Sequence, residues 1–285
     1  MGLFDGLAKM GLKNATTDDM YETKKPEVKP AQETVKAAAP TVFETDFIFA
    51  KSYECVVCDK QFKSLTTKSN KARLVSMDKD LRPIFEGFEP LKYEAVCCPQ
   101  CGYSFMTRYN GGLTPSQKKA VIENISKSFT TISEEKEVAT YEGALERIKL
   151  ALFAAMVKRA KASEKAYICL KGGWLCRSYA EHLPEDTPDR DAKLEELKAD
   201  EKEFLDKAYE GFIAARQSES FPIAGMDSST LDYMIAVMAA ERAEYDVASR
   251  MIAGLLQNAN TSSKIKDKTR DLKDEVVAKM KANKQ

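Results

Sequence analysis

Apolar positions in the C-terminal half of this chain recur with the period of a helix that buries one face. Tyr141, Ala144, Ile148 and Ala151 form one stripe; Leu205, Ala208, Phe212 and Ala215 repeat it, and Tyr245, Ala248, Ile252 and Leu255 repeat it again. Such a stripe predicts an amphipathic helix, and its alanines let a neighbouring helix approach closely. The order of apolar, Ala, apolar and small positions is that of the second helix of a tetratricopeptide-like hairpin. Tyr167, Leu170 and Trp174 fit the first-helix positions ahead of the second copy. The copies lie at unequal offsets of 64 and 40 residues, so the repeats are irregular and an insertion is expected around His182 to Lys198. A plain antiparallel bundle satisfies the same stripes.

Upstream the pattern shortens. Between residues 43 and 112 there are β-like runs at Ala72–Val75 and Tyr93–Val96, punctuated by Pro83, Gly87 and Pro90. Gly111 and Gly112 close this stretch, and Thr114-Pro-Ser-Gln117 opens a helix with a capping box, after which everything reads as helical. At the start, residues 1–12 place Leu3, Phe4, Leu7 and Ala8 at helical spacing. That stretch is too short to be stable alone. It reads as a frayed terminus or as a docking peptide for a membrane surface or a partner groove. From there to residue 42 the chain is rich in Lys, Glu, Thr and Ala with Pro26, Pro30 and Pro40, the composition of a disordered tether.

Composition alters this picture little. Lys plus Arg equals Asp plus Glu at 44 each, so no net field steers the chain toward nucleic acid or an anionic membrane. No apolar run reaches the length of about 20 residues that crosses a bilayer, and the start lacks the marks of a signal peptide. A cytoplasmic protein is expected. Seven cysteines in that reducing setting argue for metal binding or free thiols in place of disulfides.

The cysteines carry the candidate chemistry. Cys55-Val-Val-Cys58 and Cys98-Pro-Gln-Cys101 are each followed four residues later by an aromatic, Phe62 and Phe105. A C-x2-C turn lets two sulfurs reach one ion while nearby amides point at them, and two such turns supply the four thiolates of a tetrahedral zinc site. Gly102 suits the second turn, because glycine adopts the left-handed conformation without penalty. The 39 residues between Cys58 and Cys98 exceed a standard ribbon, so an insertion splits the two knuckles. One structural zinc per chain on Cys55, Cys58, Cys98 and Cys101 is expected to supply most of the folding free energy of so small a module. The fold class is therefore α+β. Residues 1–42 are peptide and linker, 43–112 a small split zinc-ribbon β module, and 113–285 an all-α helical-hairpin, tetratricopeptide-like domain.

Other candidates are weaker. Cys97 is surplus to a four-ligand site and is either a strand residue or a redox trigger that ejects the metal on oxidation. Cys169 and Cys176 sit seven apart around Trp174 and read as core. Lys60, Lys63, Lys68, Lys71, Arg73, Lys79 and Arg82 give the insertion a local positive excess, and Phe85, Phe88 and Tyr93 lie close enough in sequence to stack on bases. His182, the only histidine, follows a helix and reads as an end-of-helix residue. Metalloprotease, phosphate-loop and dinucleotide motifs are absent, which weighs against an enzyme, although carboxylate chemistry survives. The carboxylates of Glu195 to Glu203 read as a solvated helical face.

The run Glu89-Pro-Leu-Lys-Tyr93 leading to Cys98-Pro-Gln-Cys101-Gly102-Tyr103, with Asp78, Asp80 and the first knuckle upstream, resembles an uncharacterised bacterial family known only as a domain of unknown function. The resemblance covers roughly residues 45 to 260. It implies a split zinc ribbon followed by tetratricopeptide-like helices and supplies no activity; Val56 stands where many ribbons carry proline. The leading expectation is a non-enzymatic adaptor that engages a protein partner through its helices and ribbon. The alternatives are a nucleic-acid-binding ribbon using Lys63, Lys68, Lys71 and Arg73, and a thiol or zinc redox sensor.

Overall fold

Three antiparallel β-hairpins precede seven helices in the computed structural model, which describes residues 43–69, 71–132 and 136–282. Strands β1 (Ile48–Glu54) and β2 (Gln61–Thr67) pair from Ile48↔Thr67 to Glu54↔Gln61. Strands β3 (Leu74–Met77) and β4 (Pro83–Phe85) form the second hairpin; β5 (Ala95–Cys97) and β6 (Ser104–Met106) form the third. The first and third hairpins are the two knuckles, and the second is the insertion between them. The N-terminal peptide and tether expected from the sequence lie outside the described residues.

Helix α1 (Pro115–Val121) begins at the anticipated capping box: the Thr114 side chain accepts from the Gln117 amide, and Gln117 Oε1 accepts from the Thr114 amide at 3.0 Å. It runs on into a π-helical turn, Ile122–Ser126. The described residues that follow, up to Thr140, are not helical, contrary to the sequence expectation. The run Ser128-Phe-Thr-Thr-Ile132 accounts for this, since aromatic and β-branched side chains lose rotamer freedom in a helix and Ser and Thr compete for the backbone.

The remaining helices are α2 (Tyr141–Val157), α3 (Ala162–Glu181), α4 (Arg190–Ser218), α5 (Ser228–Glu241), α6 (Tyr245–Gln257) and α7 (Ser263–Ala282). All three stripes face the core: Ile148, Phe212 and Ala248 are fully buried on α2, α4 and α6. The stretch 182–198, where an insertion is expected, is a short turn that runs into a helix. Residues from Arg190 onward belong to α4, whose 29 residues account for the long offset between the first two stripes.

Close approach of α3 and α4 depends on glycine. A Cβ on Gly172 would stand 2.7 Å from the Phe204 ring, and one on Gly173 would stand 2.7 Å from Leu205. The core built this way reaches into the strand region, where Leu91, Ala95 and Met106 join the same buried cluster as Trp174 and Phe212. A separate cluster surrounds the knuckles and includes Val121, Ile125 and Ala154 from the helices.

Candidate metal centre and the network beside it

The two knuckles are built alike. In the first, the Cys55 amide donates to the Lys60 carbonyl at 3.0 Å and the Asp59 amide to the Cys55 carbonyl at 2.8 Å. In the second, the Cys98 amide donates to Tyr103 at 2.9 Å and the Gly102 amide to Cys98 at 2.9 Å. Asp59 and Gly102 occupy equivalent left-handed positions, with φ of 58° and 72°. Asp is among the few side chains that accept that conformation. At Gly102 the glycine is required twice over, because a Cβ there would also lie 2.4 Å from the Phe129 ring. The aromatics that follow each knuckle meet at Tyr53, whose ring centroid is 5.7 Å from Phe62 and 6.0 Å from Phe105.

This places the four anticipated sulfurs together. Cys55 and Cys101 approach to 3.6 Å, Cys58 and Cys98 to 3.6 Å, and all four sulfurs lie within 4.8 Å of one another. A tetrahedron with metal–sulfur bonds of about 2.3 Å has edges of about 3.8 Å, so the spacing fits one ion. Cys55, Cys98 and Cys101 are buried and Cys58 is half-buried. Hydrogen bonds from the Cys101 and Cys55 thiols, and from the Gln100 and Cys101 amides, hold Cys98 down at about 4; Cys55 and Cys98 in turn push Cys101 up. The surroundings thus favour thiolate at one sulfur before any cation arrives, and a divalent cation would extend that to the rest.

Residues 48–276 match the family described as uncharacterized protein conserved in bacteria (DUF2225). The chain belongs to this family. No curated protein and no solved structure matches the chain. In this family member, the resemblance-bearing residues Asp78 and Asp80 lie away from the sulfurs, at the tip of the β3–β4 hairpin.

That tip is bolted to the helices by ion pairs. Asp80 accepts from Trp174 Nε1 at 2.9 Å and from both Nη atoms of Arg177 at 2.9 and 3.1 Å. Arg177 also donates to Asp78 at 2.9 Å and, through Nε, to Glu201 at 2.7 Å. Arg82 donates to Asp78 at 2.6 Å and to both oxygens of Glu181 at 2.6 and 2.8 Å. Burial opposes charge here, but the hydrogen bonds outweigh it: Arg82 and Arg177 hold Asp78 below the usual carboxylate range, and Asp80 and Glu201 push Arg177 up. Glu201 is therefore part of a network, not of a solvated face. Sequence reasoning missed the network. Its one readable signal was Arg177, which stands three residues after Trp174 and seven after Leu170 on an otherwise buried stripe, where an arginine requires carboxylates.

The remaining candidates separate. Cys97 is buried with its Sγ 3.6 Å from the Cys98 carbonyl, and burial pushes its thiol up to about 11, away from the thiolate that peroxide attacks. Lys63 and Lys71 are exposed, Lys68 donates to the Asp46 carbonyl at 3.1 Å and Arg73 pairs with Glu86 at 3.5 Å. Lys79 is bound to Glu241 and Glu275. Phe88 stacks between Phe47 and Tyr93 in a small core, so neither Phe88 nor Tyr93 is offered to a base. His182 caps α3, as expected of an end-of-helix residue.

Proposed function

We propose that this protein is a non-enzymatic scaffold in which one zinc ion, held by Cys55, Cys58, Cys98 and Cys101, staples the two knuckles so that a helical-hairpin surface can engage a protein partner. Zinc is favoured by an all-thiolate, largely buried, four-coordinate donor set. Three stripes facing one core support reading α2 to α7 as irregular tetratricopeptide-like hairpins. Seven unpaired thiols among the described residues support a reducing, cytoplasmic setting. Among those residues no helix is long and apolar enough to cross a membrane.

The observation that carries the partner reading is an apolar groove of about 300 Å³ between α2, α3 and α4. Phe153 and Met156 stand at its rim, 45% and 57% exposed, over Leu152 and Phe204. Large side chains so placed leave water only when another chain covers them. The occupant is an amphipathic segment of another protein that seats an apolar anchor against Phe204 and sets its charges beside Glu203 and Lys207 at the rim. Affinity capture with the intact chain tests this. A partner retained by the wild type and lost from the Phe153→Ser, Met156→Ser double variant, with the melting temperature unchanged, supports the assignment. Identical capture by both proteins refutes it.

A further inference from the structure

A cavity of about 280 Å³ lies where the turn Pro90–Tyr93 and the β3–β4 hairpin meet the C-terminal end of α3. The rings of Phe85, Phe88 and Tyr141 form apolar walls. Its charged lining is Glu44, Glu89 and Glu181 against Arg82 and Lys92, with His182 beside them.

The hydrogen-bonding capacity of this lining is one-sided. Its donors are engaged: Arg82 with Asp78 and Glu181, and Lys92 with Glu44 at 2.6 Å. The Ser178 hydroxyl donates to Glu89 at 2.5 Å, so the Tyr141 hydroxyl, 3.1 Å from Ser178, is the donor in that pair. The acceptors are not exhausted. Glu89 receives hydrogen bonds from two neutral groups, Ser178 and the Leu91 amide at 3.1 Å, and among the described residues it makes no direct ion pair, Arg82 and His182 acting on it only at longer range. His182 Nδ1 lies 2.8 Å from the Ser178 carbonyl and must be its donor, which leaves Nε2 as the acceptor of the neutral ring. Three carboxylates stand against two cations. A half-buried carboxylate without a direct counter-ion is costly, and an aromatic face beside it, here Phe85, favours a positive group.

We propose that this cavity binds a small organic cation, a primary ammonium or guanidinium compound, with Glu89 as counter-ion, His182 Nε2 as second acceptor and the Phe85 ring against its apolar stem. A charge-assisted hydrogen bond of this kind is roughly twice as strong as a neutral one. The site stands apart from both the metal centre and the α2–α4 groove, so it does not depend on the scaffold reading.

Burial raises the Glu89 carboxyl, with Ser178, Leu91, Arg82 and His182 acting against that. Calorimetric titration of the full-length, metal-loaded chain with agmatine and putrescine, against 1-butanol and butyrate, is the test. Both cations are expected to bind saturably and the controls not at all. Glu89→Gln is expected to weaken cation binding at least tenfold. His182→Phe, which preserves the stack on Tyr141 at an exposed position, is expected to weaken it severalfold; it serves as the deciding variant should Glu89→Gln not fold. Equal binding of 1-butanol and the cations, no binding of any probe, or wild-type affinity in a folded variant would overturn the proposal.

Discussion

Glu89 is held in surroundings that favour its neutral form, and this has a consequence for stability. Its folded pKa is raised above the value of about 4.3 expected for the unfolded chain, first by burial. A carboxyl so shifted contributes stability that is fully present below the unfolded value and is lost as pH rises through the folded one. Relative to wild type, Glu89→Gln should therefore gain stability as pH rises from about 4 toward neutrality. Urea midpoints of both proteins between those limits check this, and a gap independent of pH would contradict it. Cys169 and Cys176 are a second residue-level case. Burial pushes both thiols up to about 12, so neither should react with iodoacetamide in the native chain at neutral pH, while both should react in urea. Mass mapping of label on the folded protein decides; modification of either at the rate of a free thiol would contradict the buried α3 described here.

Between elements, one contact lets two helices meet and another ties the strand region to the helices. Gly172 and Gly173 let α3 and α4 meet, and there two effects compete. Alanine gains about 1 kcal/mol over glycine in a helix interior, whereas forcing a methyl into a packed interface costs about 1–3 kcal/mol. With Phe204 only 2.7 Å from the added atom, the steric cost should win, and Gly172→Ala should lower stability by about 1 kcal/mol. A rise in the thermal midpoint would show that the ring simply turns aside. The second contact is the ion network at the β3–β4 tip. Asp80→Ala leaves Arg177 and the Trp174 indole short of an acceptor in a buried setting, a change that costs about 3–5 kcal/mol when one partner of a buried pair is removed. Denaturant titration of that variant reads the cost directly, and a loss below about 1 kcal/mol would place the network among surface ion pairs of little value.

At the scale of the whole molecule, local spacing was readable and long-range pairing was not. The metal-site cysteines could be named because each C-x2-C turn is a local device, and the three stripes because burial on a helix has a fixed period. The join between the parts was hidden. Arg82 and Glu181 are 99 residues apart, and so are Asp78 and Arg177, so Lys79 and Arg82 read as a basic patch when they are tied to the helices. The cavity beside Glu89 was equally illegible, since its lining comes from four separate stretches of chain. The account as a whole rests on the four sulfurs holding one structural zinc. Elemental analysis of protein purified without added metal, for wild type and for Cys55→Ser and Cys98→Ser, tests that most directly. One zinc per chain in the wild type, lost in both variants together with the fold of the knuckles, is the predicted result. Well-folded protein containing no metal, or containing iron in equal amount, would contradict it.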